Sequence, residues 1–213
     1  MNLEIIRQTL GPLPNNVYLL GDQDTGDAVV IDPSYDSHLI LARAEALGWT
    51  LRQIWLTHAH FDHFAGAAEL AQAFEPPLPI GLHPAELDWY HNEGGAGMFG
   101  MSIQQPPEPT LLFEDGMPLS LVPEGEPVAE ALLAPGHSPG HAMFYCPERG
   151  ALICGDVIFR EGIGRTDLEG GSLEQLLGAI QEKVFTLPDE TRLLPGHGPE
   201  STVGHEKGFN PFL

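Results

Sequence analysis

The sequence predicts an α/β (α+β) fold in which two β-sheets pack together and carry helices on their outer faces. Three observations lead there. Short apolar runs bounded by Gly, Pro, Asn and Asp alternate with stretches whose apolar residues recur at helical spacing. This layout of strands followed by a helix occurs in each half of the chain, with no sequence repeat behind it. Hydrophobic residues make up 42% of the 213 positions, ample for a packed core.

In chain order, residues 3–10 form a strand that ends at Gly11-Pro12. Residues 16–20 and 28–31 are apolar runs separated by Gly- and Asp-rich positions, the pattern of a hairpin. Asp32-Pro33 is a turn, and Ser37 caps a helix with Ile40, Ala44 and Leu47 on one face, stopped by Gly48. Residues 52–56 are the next strand. Residues 65–71 are helical, 79–82 a short strand, and His83-Pro84 opens a helix through Trp89 and Tyr90. The span 92–109, rich in Gly, Met and Pro, reads as a mobile loop whose Met98, Phe99 and Met101 line a substrate cleft. Strands follow at 119–121, 128–133, 142–145 and 151–154, with a hairpin turn at 147–150. Ser172 then opens a helix in a capping box with Gln175, burying Leu173, Leu176, Leu177, Ile180 and Val184, before a last strand at 191–194.

Thr57-His58-Ala59-His60-Phe61-Asp62-His63 follows the strand 52–56 and sets three histidines and one aspartate within seven residues. Imidazole and carboxylate are the ligands of borderline divalent metals. On extended backbone His58 and His60 point the same way, whereas Asp62 and His63 need a turn, so the cluster can serve two ions. Three further strand ends carry candidates of the same kind: His137 in a Gly/Pro-framed turn, Asp156 after Gly155, and His197 after Pro195-Gly196.

Composition narrows the function. The formal charge is −21, from 9 basic and 30 acidic side chains, and only Lys183 and Lys207 are lysines. Such a field repels phosphate backbones and anionic lipid, which excludes nucleic acid and membrane as expected partners. No apolar run approaches the ~20 residues of a membrane span. The N-terminus lacks the pattern of a signal peptide, so the cytoplasm is the expected compartment. Cys146 and Cys154 form neither a redox pair nor a thiolate metal motif and are expected to be buried and free.

His58-x-His60-x-Asp62-His63, followed by His137, Asp156 and His197, resembles the metallo-β-lactamase superfamily over nearly the whole chain. The resemblance implies an αβ/βα four-layer sandwich formed by residues 1–213 as one domain, with a dinuclear site at the edge between the sheets. It implies that His58, His60 and His137 bind one metal, that Asp62, His63 and His197 bind the other, and that Asp156 bridges them. Two divalent ions follow, zinc first, with iron or manganese accepted by the same ligands. The true β-lactamases of the family lack a bridging aspartate at the Asp156 position, which argues against antibiotic hydrolysis as the main role. Gly162-Ile163-Gly164-Arg165-Thr166-Asp167 and the segment from Gly198 to Leu213 are similar to the short bacterial type of glyoxalase II-like hydrolases.

That likeness implies hydrolysis of a thioester such as S-lactoylglutathione, or of an ester, by a metal-bridging hydroxide that Asp62 orients. Glyoxalase II proper adds a helical domain with basic residues for glutathione. Here sixteen residues follow His197, with Lys207 their only base, which widens the expected substrate beyond glutathione. Arg165 is the candidate contact to a substrate carboxylate, and a brace to Asp167 is its structural alternative. His83, His91 and His141 fall outside the ligand set, in outer or surface roles. A rival from another reaction class is a persulfide dioxygenase with one iron held by His58, His137 and Asp156. A metal-binding scaffold without activity is the third reading.

Overall fold

The computed structural model describes residues 1–213. Its first half contains β1 (Leu3–Leu10), β2 (Asn15–Asp22), β3 (Asp27–Ile31), α1 (Ser37–Leu47), β4 (Thr50–Trp55), α2 (Phe61–Phe64), α3 (Ala67–Gln72), β5 (Ile80–Leu82), α4 (Leu87–His91) and β6 (Leu111–Leu112). The second half adds β7 (Met117–Leu119), β8 (Ala129–Leu133), β9 (Ala142–Cys146), β10 (Ala151–Gly155), β11 (Ile158–Phe159), β12 (Gly162–Ile163), α5 (Leu173–Ala179), β13 (Arg192–Pro195), β14 (Ser201–Thr202) and α6 (Val203–Phe209).

One six-stranded sheet runs β1-β2-β3-β4-β5-β6 and the other β14-β13-β10-β9-β8-β7, with β11 and β12 as a separate hairpin. Strand alternation explains why they stack. On β2, Val17 and Leu19 face α1, α3 and α4 with Ile40, Leu70 and Tyr90, while Tyr18 and Leu20 face the other sheet. Trp55, Phe113, Phe144, Ile153 and Leu194 complete the layer between the sheets, where Trp55 and Phe144 pack 5.4 Å apart. Behind the second sheet, Met143, Leu152 and Leu193 meet Leu176, Ile180 and Val203. The order is helices, sheet, sheet, helices: the predicted αβ/βα sandwich. No helix is long and apolar enough to cross a membrane. Cys146 and Cys154 are buried and free, as expected.

Several local expectations are corrected. Ser37 is not the cap of α1: Asp36, in left-handed conformation, precedes the helix without a side-chain cap, and the Ser37 hydroxyl donates to Gly66 O at 2.9 Å. The helix expected over 65–71 is interrupted at Gly66, where a Cβ would collide with Ser34 O. That close approach lets the chain change direction between α2 and α3. The span 92–109 is compact rather than loose: residues 93–99 form 3₁₀ turns that bury Gly94 and Ala96, and Tyr90 donates its hydroxyl proton to Pro107 O at 2.6 Å. Leu173, expected on the buried face of α5, is exposed, because only Leu176, Ile180 and Val184 of that stripe reach the core. Ser172 does accept from Gln175 N. Strands β6, β11, β12 and β14, each two residues long, are too short to leave a periodic signal.

Candidate metal centre

The strand ends foreseen as ligand carriers lie along one edge of the sandwich. β4 leads into the Thr57–His63 stretch, the β8–β9 turn carries His137, and β10 and β13 lead to Asp156 and His197. His60 is extended, with φ −78° and ψ 139°, whereas Asp62 and His63 lie on the single turn of α2. That change of backbone separates the two ligand directions, as the spacing implied.

The seven side chains converge as two groups. His137 Nε2 lies 3.3 Å from His58 Nε2 and 2.9 Å from His60 Nδ1. On the other side His197 Nε2 lies 3.1 Å from Asp62 Oδ2, and His63 Nε2 lies 3.8 Å from the same oxygen. Asp156 stands between the groups, with Oδ1 3.5 Å from His63 Nε2 and Oδ2 3.8 Å from His137 Nε2 and 3.7 Å from His197 Nε2. Three sets of side chains bring ligand atoms within 4.8 Å of one another: His58, His60 and His137; His58, His63 and Asp156; and Asp62, His63 and His197.

The outer partners fix which nitrogen faces inward. His137 Nδ1 meets Arg165 O at 2.8 Å and His197 Nδ1 meets Pro14 O at 3.3 Å. A carbonyl only accepts, so both rings carry hydrogen on Nδ1 and turn Nε2 toward the cluster. His63 Nδ1 lies 2.9 Å from Asp32 Oδ2, the carboxylate–histidine pairing that orients metal ligands. Asp32 also accepts from Thr57 N and Thr57 Oγ1, both at 2.7 Å, and Thr57 Oγ1 lies 2.9 Å from His58 Nδ1. One buried aspartate therefore holds both ends of the histidine stretch.

Burial lowers every histidine of the cluster, and nearby carboxylates decide the outcome in each group. It pulls the His58 imidazole well below its ordinary range, and the neighbouring imidazoles His63, His60 and His137 pull the same way. His60 is lowered to about 3, again by burial first and then by His137 and His63. Burial also lowers His137, against the pull of Asp156. For His63 the burial effect is outweighed by Asp156, Asp62 and Asp32, which raise it well above the ordinary value. His197 is raised too, because the hydrogen bond to Asp62 and the charge of Asp156 exceed the burial effect. Burial favours the neutral form of Asp156, yet His63, His137 and His197 hold its carboxyl far below the usual range.

Converging lone pairs of this kind fit a cation. His63 Nε2 and Asp156 Oδ1 are buried and have no hydrogen-bond partner, and His60 turns its Nδ1 toward the same cluster. The 3.3 Å separation of His58 and His137 Nε2 matches the ~3.3 Å expected for two nitrogens at ~2.05 Å from a tetrahedral ion.

Residues not foreseen complete the frame. Asp32 was read only as a turn residue, although a carboxylate at a strand end is the signal that marked Asp156. Glu86, fully buried, accepts from Ala59 N at 2.9 Å and Gly140 N at 2.6 Å, tying the His58–His63 stretch to the His137 turn. His141 takes the outer of its two expected roles: it is buried, stacks on His58 at 4.8 Å, and its Nε2 accepts from Asp156 N at 3.1 Å. His83 and His91 stay outside the cluster, partly or fully exposed. Gly196 has no room for a side chain, since a Cβ would strike Asp156 Oδ1 and His63.

A cavity of about 360 Å³ opens onto the cluster, walled by Leu13, Phe61, Phe99 and Leu168 and edged by Arg165. Phe99 lines this cavity as expected; Met98 lines a neighbouring cleft, and Met101 lines neither. The Arg165 guanidinium pairs bidentately with Asp167, at 2.7 and 2.8 Å.

A four-layer sandwich with a His/Asp metal-binding cluster at one sheet edge is the arrangement of the metallo-hydrolase superfamily. Residues 10–197 match the Metallo-beta-lactamase superfamily, and the chain belongs to that family. It is 40% identical over 210 residues to the probable metallo-hydrolase YqgX of Bacillus subtilis, covering 97% of this chain and 96% of that one. It is 35% identical to the hydroxyacylglutathione hydrolase GloC of Haemophilus influenzae, covering 100% and 98%. Among solved structures, TTHA1623 in a di-iron-bound form superposes with a TM-score of 0.87 at 39% identity, covering 98% and 100%. The BLEG-1 B3 metallo-beta-lactamase superposes with a TM-score of 0.90 at 33% identity, covering 99% of each chain.

Proposed function

We propose that this chain hydrolyses a thioester or ester at a two-metal centre. The observation that carries the proposal is the pair of ligand groups meeting across Asp156. In this reading His58, His60 and His137 hold one ion, Asp62, His63 and His197 the other, and Asp156 touches both; zinc, iron and manganese all suit the donors. Ions bound there supply an acidified water and polarisation of the substrate carbonyl. Asp62 lines the cavity and, with metal bound, would be placed to accept a hydrogen bond from the attacking water and orient it. Leu13, Phe61, Phe99 and Leu168 exclude bulk water around the acyl group. A thiol leaving group, with pKa roughly 8.5, departs without a dedicated acid, so no further proton donor is needed. Arg165 stands where it can present a guanidinium fork to a substrate carboxylate, on condition that it releases Asp167. The 35% identity to a hydroxyacylglutathione hydrolase favours a thioester. The buried free cysteines suit a reducing cytoplasm.

A persulfide dioxygenase would need only His58, His137 and Asp156. The close approach of Asp62, His63 and His197 favours a second ion and therefore the hydrolase. The test is thioester hydrolysis by metal-loaded protein under strict anaerobiosis, which should proceed at the aerobic rate. Oxygen uptake with glutathione persulfide and no anaerobic hydrolysis would overturn the reading. Opening of a chromogenic cephalosporin belongs in the same assay, because BLEG-1 is described as a B3 metallo-beta-lactamase.

A further inference from the structure

Beside the metal cavity lies a larger cleft of about 770 Å³, and Trp89 forms part of the wall of both. The Trp89 ring stands edge-on to His60 at 4.8 Å, and its Nε1 donates to Glu169 O at 3.2 Å. Gly95 lies against the indole so closely that a Cβ there would collide with the ring and with Met98. A substrate arm leaving the reacting carbonyl on the Trp89 side would enter this cleft. The cleft combines Trp89, Met98 and Pro139 with Asn92, and its only charged lining residues are Asp88 and Glu169. Of the nine basic side chains, Arg165 alone lines either cavity, and Asp167 already pairs with it.

We propose that this cleft binds the substrate arm remote from the scissile bond and selects a positively charged arm over an anionic one. The proposal rests on the thioester or ester hydrolase reading and adds the substrate class to it. Two carboxylates and no free base give the cleft a negative potential, which the formal charge of −21 reinforces. An ammonium group gains from that field while its methylene or methyl surface packs on Trp89 and Met98.

Three thioesters with one acyl group decide the matter: acetylthiocholine, S-acetyl-N-acetylcysteamine and S-acetylglutathione, whose arms are cationic, neutral and anionic. With metal-loaded protein at low salt, kcat/KM should fall in that order, through KM, over about tenfold, the scale that two exposed carboxylates supply. The span should shrink at about 1 M salt, where screening reaches ~3 Å. Asp88→Asn combined with Glu169→Gln should draw the thiocholine-to-glutathione ratio toward one. Preference for the glutathione thioester, or a ratio that the double variant does not change, would overturn the proposal. Choline, which has no bond to hydrolyse, separates this from failure of the hydrolase reading. Trp49 and Trp55 are buried, so saturable quenching by choline reports on Trp89. Quenching that the double variant abolishes supports the cleft even if no thioester is cleaved; its absence overturns the cleft even if all three are.

Discussion

His58, His60 and His137 meet as three imidazoles, whereas Asp62, His63 and His197 meet beside carboxylates, and under similar burial the carboxylates alone set the two groups apart. In the first, burial and mutual repulsion keep the rings neutral, so bare nitrogens face one another at 2.9 and 3.3 Å. In the second, Asp156, Asp62 and Asp32 hold His63 toward its charged form despite complete burial. Seven side chains from four strand ends thus form two chemically unlike corners. A neutral corner gains most from a cation that supplies all the charge. A corner with carboxylates already balances itself with protons, which a metal must displace.

Asp156 is the shared member, so removing it should do the most damage. Asp156→Ala should lose at least one ion per chain by elemental analysis, and activity should fall by more than the roughly 100-fold typical of losing an outer partner. Unchanged metal content would sink the bridging assignment. His60→Ala and His197→Ala sharpen the contrast, because each touches only one corner. Each should leave about one ion per chain; loss of both ions in either variant would show that the corners do not load independently. A smaller effect is expected from Asp32→Asn. It weakens the partner of His63 Nδ1, so metal affinity should drop by about 10- to 100-fold, mainly at the carboxylate corner, in a chelator titration. Gly196→Ala tests the packing between Asp156 and His63 and should cost about 1–3 kcal/mol in denaturant unfolding, the usual range for overpacking. The smallest effect should come from Arg165→Ala, whose solvent-exposed pair with Asp167 adds little to stability, so the unfolding midpoint should stay in place. If Arg165 meets the substrate, KM should rise for carboxylate-bearing thioesters alone.

The four-layer fold and the seven converging side chains were legible because both rest on short-range patterns. Short apolar runs were bounded by turn residues, and His or Asp stood at or just after their ends, while the assignment of the seven side chains to two ions follows from the family resemblance. What stayed hidden depends on contacts distant in sequence. Glu86 is one of 30 acidic residues, and nothing local distinguishes it; only the fold brings it to Ala59 and Gly140. His141 sits four residues after His137, and its burial against His58 follows from the packing of β9 beside β4's end. Ser37 looked like a cap, but the approach of Gly66 drew its hydroxyl across the structure instead. Asp32 is a different case, since its strand-end position carried the same local signal as Asp156.

The central claim is that two unlike corners each hold an ion. Elemental analysis of protein purified without added chelator measures it most directly. Close to two divalent ions per chain are expected; a single iron, with no second ion taken up on titration, would overturn the two-ion centre.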